Sequence, residues 1–266
     1  MSKVVLITGA SSGIGKAIAG YLQSKNYIVY GTSRNPKKVH VPFAMVALDV
    51  TNTKTIQTAI DTVIKKEGRI DVLINNAGKG ITGAIEDTPT DEMRANFNTN
   101  FFGVIDVAKA VLPQMRKQKS GIIINVTSIA AYMGLPFRGI YSASKGALEL
   151  VTEAMSMEVK NFGIKVINVA PGDFATNIAS GRYHTPVYES SAYKEKYAEN
   201  LALMDGHVKS GMDPIVMAKA MHKIIEKTNP KIHYKIGAFM EKFSVVLKRI
   251  LPDKVYQKLL MNHYKL

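Results

Sequence analysis

Short runs of β-branched and aliphatic residues, several of them apolar on both faces, recur along this chain with helix-length segments between them. Residues 4–8, 28–33, 44–48, 72–75, 122–127 and 164–169 are the runs, and residues 13–25, 53–66, 91–115 and 141–161 separate them. A strand that is apolar on both faces has to be covered on both, which is the situation of a parallel sheet between two helical layers. Parallel neighbours need crossover connections, and those are right-handed. The pattern therefore predicts an α/β chain built on a doubly wound parallel sheet, with ligands beyond the carboxyl ends of the strands. At 266 residues, one core of this kind is within reach.

Composition removes several classes of function. Cysteine is absent, which excludes disulfides, thiolate metal ligands and a cysteine nucleophile, and suits a reducing compartment; a cytoplasmic protein is expected. The first residues run straight into a strand and a glycine turn, so no secretory leader is expected. No uninterrupted apolar stretch reaches the roughly 18–20 residues that cross a bilayer. The formal charge is +14, and it is unevenly placed: after residue 206 there are 12 Lys and Arg against 4 Asp and Glu. Such a balance suits acidic ligands, an anionic lipid surface or non-specific nucleic-acid contact, and is first of all what a solvated basic surface carries. With no reader motif and no arginine stripe with interleaved aromatics, nucleic acid is not an expected partner.

The first run leads into Thr8-Gly9-Ala10-Ser11-Ser12-Gly13-Ile14-Gly15 and then a helix. Glycines let a backbone approach a pyrophosphate, and the N–H groups and dipole of a helix N-terminus stabilise its charge. A glycine turn alone serves equally as a plain connection; here it lies between a strand and a helix. The spacing G-x-x-x-G-x-G differs from the G-x-G-x-x-G of many dinucleotide enzymes. Counting about 20 positions on from the glycines, where an acidic residue would hold a ribose 2′-hydroxyl, reaches Ser33 followed by Arg34. A guanidinium there forks onto a 2′-phosphate, with Lys37 and Lys38 as supporting charge, so the expected cofactor is NADP(H) in preference to NAD(H). The alternative reading of Arg34 is an ordinary exposed loop residue.

Tyr141-Ser142-Ala143-Ser144-Lys145 places a phenol and an ammonium four residues apart, on one face of a helix. A free tyrosine has a pKa of about 10, and a neighbouring cation favours phenolate and moves the group toward the range useful for acid–base chemistry. Taken alone, the pair is also what a helix surface offers by chance.

The motifs together form an ordered set. The glycine turn, Asp49-Val50, Asn75-Asn76-Ala77-Gly78, Asn100, Ser128, the Tyr141–Lys145 segment and Pro171-Gly172 stand in the order of the short-chain dehydrogenase/reductase family, which this chain resembles over residues 1 to 176. The resemblance implies a Rossmann-type single domain, over residues 1–237, with a C-terminal helical extension at 238–266. It implies Tyr141 as the acid/base, Lys145 as the group that binds the nicotinamide ribose and tunes Tyr141, and Ser128 as donor to the substrate oxygen. Asn100 would hold a helix bend and a water leading to Lys145. For the cofactor it implies Gly9, Ser11, Ser12, Gly13, Ile14 and Gly15 at the pyrophosphate and Ser33 and Arg34 at the adenosine ribose. Asp49 and Val50 would lie at the adenine and Asn76, Ala77 and Gly78 along the dinucleotide, with Pro171, Gly172 and Thr176 at the nicotinamide beside Tyr141 and Lys145. Phe174 stands where many members carry a smaller aliphatic residue. Asn75 also reads as a residue that braces the sheet, and Ser128 alone as a strand-end hydroxyl. Family members usually pair through the helices corresponding to 91–115 and 141–161, so a homodimer or homotetramer is expected.

Residues 177–212 collect Tyr183, His184, Tyr188, Tyr193, Tyr197 and Met204 and are expected to form a substrate lid, suited to an apolar or ring-bearing substrate. His184 reads as a loop residue or a substrate ligand. No histidine is spaced with carboxylates as a metal site requires, so no metal is expected. A helix at 214–227 and a strand at 233–236 complete the sheet. Beyond them Phe239, Phe243, Val246, Leu247, Ile250 and Leu251, then Val255, Tyr256, Leu259 and Leu260, recur at helical spacing with lysines interleaved. Such stripes pack on their own domain or a sister subunit, or lie on an anionic membrane surface. The expected activity is a reductase, reversibly a dehydrogenase, of a hydrophobic ketone or aldehyde of steroid, retinoid or long-chain acyl kind. The competing readings are a dinucleotide-binding regulator without turnover and a membrane-docked reductase of lipid substrates.

Overall fold

The computed structural model describes residues 2–176, 181–209 and 211–266. Its strands are β1 (Val4–Ile7), β2 (Ile28–Ser33), β3 (Ala44–Ala47), β4 (Val72–Asn75), β5 (Ile81–Thr82), β6 (Gly121–Val126), β7 (Ile164–Pro171), β8 (Tyr183–His184) and β9 (His233–Ile236). Among the described residues, seven strands form one sheet in the order β3-β2-β1-β4-β6-β7-β9, and every pairing in it is parallel. The order reverses between β1 and β4, so the switch point lies between their carboxyl ends. The two short strands β5 and β8 pair with each other apart from the main sheet.

Alternation along each strand feeds two cores. Val5, Ile7, Val72, Ile74, Ile124, Ile167 and Val169 point to one face, where α1 (Gly13–Ser24) contributes Ile18 and Leu22 and α7 (Pro214–Ile225) contributes Met217, Met221 and Ile224. Val4, Leu6, Leu73, Ile123 and Val166 point to the other. There α2 (Thr53–Glu67) packs through Ile56, Ile60 and Val63, and α4 (Gly103–Gln118) through Val107, Val111 and Met115. The helix α5 (Gly139–Glu158) adds Met155 to this second core. Burial at this scale, about 1.5–3 kcal/mol for each large aliphatic side chain, is what holds the layers together.

The segment expected as one helix over 91–115 is divided. It runs as α3 (Thr90–Phe97), a wide π turn over Asn98–Phe102, and then α4. Asn75 braces the sheet: its Nδ2 donates to Asn125 Oδ1 at 3.0 Å, and Asn125 Nδ2 donates to Thr152 Oγ1 on α5 at 2.9 Å. After β8 come α6 (Lys194–Lys209) and α7, and the chain ends in α8 (Phe239–Ile250) and α9 (Asp253–His263), separated at Pro252. Val245 of α8 and Tyr256 of α9 pack on Ile129 and Met133, just beyond the end of β6.

Candidate active site

The glycine turn is locked to the end of β4. Gly9 has φ +68° and Gly13 φ +54°, conformations that side chains rarely adopt, and a Cβ at Gly9 would lie 2.9 Å from Ala77 Cα. Asn76 Nδ2 donates to Thr8 O at 3.0 Å and Gly9 O at 3.1 Å, while Thr8 Oγ1 accepts from the backbone N–H groups of Asn76 and Ala77, both at 3.0 Å. A Cβ at Gly15 would collide with Gly9 O and the Asn76 amide. The turn and the start of α1 are thereby fixed at the carboxyl end of β1, and Ile14 lines the cleft.

At the end of β2, the hydroxyls of Thr32 and Ser33 are buried with no hydrogen-bond partner, and Arg34 beside them is exposed. Asp49 is held below the usual carboxylate range, first by the backbone N–H of Thr51 and more weakly by the Arg34 charge. Val50 is buried, with its carbonyl against Gly103 at the start of α4. A cradle of positive-φ glycines with orphaned hydroxyls at its far end fits a dinucleotide, whose phosphates and ribose would supply the missing partners.

Around Tyr141 the elements converge from three sides. Tyr141 enters on the first turn of α5, and Lys145 one turn on is buried, its Nζ donating to Val126 O at the end of β6, 2.9 Å away. Burial pushes the Lys145 pKa down to about 8. A Cβ at Gly78 would sit 3.4 Å from Lys145 Nζ and 3.1 Å from Asn100 Oδ1, so β4's exit, α5 and the π turn meet at one point. Asn100 accepts from Lys79 N and donates to Lys79 O, both at 2.9 Å, and its Nδ2 lies 3.3 Å from Ser144 Oγ. Ser128 ends the β6 exit, and its Oγ accepts from Ala130 N at 3.2 Å, which leaves its own hydrogen for another acceptor.

One cleft is lined by Ser128 and Tyr141 together with Ile14, Ile81, Pro171, Gly172, Phe174 and Thr176. The cleft thus gathers the Ser128 and Tyr141 hydroxyls near the glycine turn, with the buried Lys145 ammonium one helical turn beyond Tyr141. The sequence model of the family "short chain dehydrogenase" matches residues 3–186. The chain is a short-chain dehydrogenase.

It is similar to the 3-ketodihydrosphingosine reductase of Bacteroides thetaiotaomicron, with 41% identity over 98% of both chains. Among solved structures it is similar to a short-chain dehydrogenase from Streptomyces avermitilis, 31% identical with a TM-score of 0.82 over 99% of this chain and 97% of that one. The structure of ElxO with NADP bound is 28% identical, with a TM-score of 0.69 over 89% of this chain and 96% of that chain. This dehydrogenase is thus an oxidoreductase built on a Rossmann-type sheet.

Several cleft residues escaped the motif reading. The Arg138 guanidinium lies over the Tyr141 ring, 5.5 Å from its centroid, and Arg182 and Asp173 also line the cleft. Arg138 is three residues before Tyr141, a helical spacing that was available in the sequence. The floor is held from a distance: Glu241 of α8 accepts from Asp173 N at 2.7 Å and from Ala238 N at 2.6 Å, and a Cβ at Gly172 would collide with its carboxylate. Buried Tyr264 reaches back to Arg138; burial raises its pKa and the Arg138 charge opposes the rise.

In the expected lid, residues 177–180 and 210 lie outside the described residues. The rest contains the short strand β8 and the helix α6. Tyr197 is buried, its hydroxyl donating to Thr82 O at 3.1 Å, and His184 Nδ1 lies 3.0 Å from Thr82 Oγ1. The fold also brings together what spacing along the chain separates: His233 on β9 has Nδ1 3.4 Å from Glu149 Oε1 and Nε2 2.9 Å from Glu153 Oε1. Each ring nitrogen faces a carboxylate, so these three side chains pair among themselves.

Proposed function

We propose that this dehydrogenase is an NADP(H)-dependent carbonyl reductase, reversibly an alcohol dehydrogenase, of an apolar, lipid-like ketone. The observation that carries the reading is the single cleft that gathers Ser128, Tyr141, Pro171, Gly172 and Thr176 beside a buried Lys145. When bound, the dinucleotide supplies the hydride. Tyr141 gives its hydroxyl proton to the carbonyl oxygen, and Ser128, whose Oγ already accepts from Ala130 N, donates to that oxygen where negative charge develops. Lys145 remains largely protonated at neutral pH with its pKa near 8, and its ammonium both favours phenolate at Tyr141 and holds the nicotinamide ribose. Asn100 keeps the Lys79 backbone and Ser144 in register with this pair. The cradle would hold the pyrophosphate at residues 9–15, with Ser33 and Arg34 at the adenosine ribose, Asp49 and Val50 at the adenine and residues 76–78 along its length.

The substrate class rests on Ile14, Ile81 and Phe174 in the cleft and on similarity over nearly the full length to a reductase named for a long-chain amino ketone. Exposed Arg34, in place of an acidic residue, supports NADP(H). Exposed Leu150 and Met157 on α5, at 68% and 71%, support pairing of two copies along that helix.

The test is oxidation of NADPH with a panel of long-chain and cyclic ketones. Tyr141→Phe is expected to lose roughly a hundredfold or more of kcat, and a variant with wild-type turnover would refute the mechanism. No turnover by the wild type across the panel, with NADPH still bound, would favour the regulator. Arg34→Ala is expected to raise KM for NADPH about tenfold or more while KM for NADH changes little; equal changes would remove the cofactor argument.

A further inference from the structure

The C-terminal helices carry more apolar surface than their packing uses. On α8, Val245 faces Ile129 and Met133, with Leu247 and Leu251 beside it. Phe239, Phe243, Val246 and Ile250 form a second stripe on the opposite side of the same helix. These four are exposed at 72%, 38%, 48% and 67%, and the two phenylalanine rings stack with centroids 5.7 Å apart. On α9, Val255 and Leu259 are exposed on one side while Tyr256 is buried on another.

Charge borders both stripes. Lys242 and Arg249, seven residues apart and therefore on one line along α8, flank its exposed stripe; Lys254 and Lys258 do the same on α9. All four are exposed. Residues 238–266 hold 6 Lys and Arg against 2 Asp and Glu, and both acids are engaged: Glu241 caps Ala238 N and Asp173 N, and Asp253 pairs with Lys248 at 2.7 Å.

We propose that the outer faces of α8 and α9 dock on an anionic lipid bilayer. Phe239, Phe243, Val246 and Ile250 enter the boundary between headgroups and acyl chains, and Lys242, Arg249, Lys254 and Lys258 meet the lipid phosphates. A second copy of the chain fits this face poorly, because joining two such faces sets cations against cations, whereas anionic headgroups complement both the stripe and its border. The same helices hold the cleft floor through Glu241, so docking sets the cleft close to the bilayer. That consequence for a lipid-soluble ketone rests on the substrate reading above; the docking surface does not.

Co-sedimentation of the full chain with phosphatidylglycerol–phosphatidylcholine vesicles and with pure phosphatidylcholine vesicles tests it without reference to turnover. The protein is expected to pellet with the anionic vesicles at low salt, to bind the neutral ones at least about tenfold more weakly, and to be released from the anionic ones by high salt. The double variants Phe239→Ser/Ile250→Ser and Lys254→Glu/Lys258→Glu are each expected to weaken binding roughly tenfold or more at an unchanged melting temperature. Equal binding to both vesicles, no binding to either, or a solution mass that falls when Phe239 and Ile250 are replaced would overturn the proposal. The vesicle-charge and salt series on the wild type decides the matter even where a variant fails to fold.

Discussion

At Lys145 the chemistry proposed for the cleft and the cost of burying a charge pull against each other. Its ammonium leaves water for a buried site where Val126 O is its hydrogen-bonded partner, and its pKa falls from 10.5 to about 8 as a result. Below pH 8 the folded and unfolded chains both carry the proton, and the full desolvation cost is present. Between 8 and 10.5 the unfolded chain keeps a proton that the folded chain has lost, so the cost shrinks as pH rises; above 10.5 it is gone. Lys145→Met, similar in length and apolar, is therefore expected to be the more stable protein at pH 7. The gain is on the order of 1 kcal/mol once the lost bond to Val126 O is set against it, and it fades toward pH 10.5 while turnover is lost throughout. Thermal melts of both proteins across that range are the measurement, and a variant that melts lower at pH 7 would mean that the bond to Val126 O outweighs the burial.

At the scale of elements, what the sequence made legible follows from which interactions are periodic. The sheet was readable because Val4, Leu6 and Val5, Ile7 alternate into two separate cores, so that the strands are apolar on both faces over most of their length. The cradle and the Tyr141–Lys145 pair were readable because their geometry is set within a few residues. The break of the 91–115 helix was foreshadowed only by Asn100; its position depends on a side-chain amide that clamps the Lys79 backbone 21 residues away. The strands β5 and β8 are two residues each, too short for any alternation to register. The His233 pairing with Glu149 and Glu153 and the Glu241 cap on Asp173 arise from the order of strands and the path of the chain end, which no local pattern encodes. Such contacts become visible only once β9 lies beside β7.

For the whole molecule, the decisive question is whether residues 238–266 are an appendage or part of the one core. They follow Gly237, which is packed against Gly172, and Glu241 then fixes the backbone at Asp173. They bury Val245, Tyr256 and Tyr264 against Ile129, Met133 and Arg138. Three large buried side chains contribute on the order of 5 kcal/mol, against a total stability of about 5–15 kcal/mol for a domain. A chain ended after Gly237 would also expose Ile129 and Met133 next to Ser128 and leave Gly172 without its cover. It is therefore expected to lose most of its stability and to appear in the insoluble fraction or as a protein melting at least 10 °C lower, roughly what several kcal/mol implies for a chain of this size. Replacing only outward-facing Phe239 and Ile250 removes no buried contact and should leave the melting temperature within about 2 °C of wild type. A truncated chain that stays soluble and melts like the wild type would show that the C-terminal helices rest on the domain without supporting it, and the cleft floor would then have to be held by the β7–β9 pairing alone.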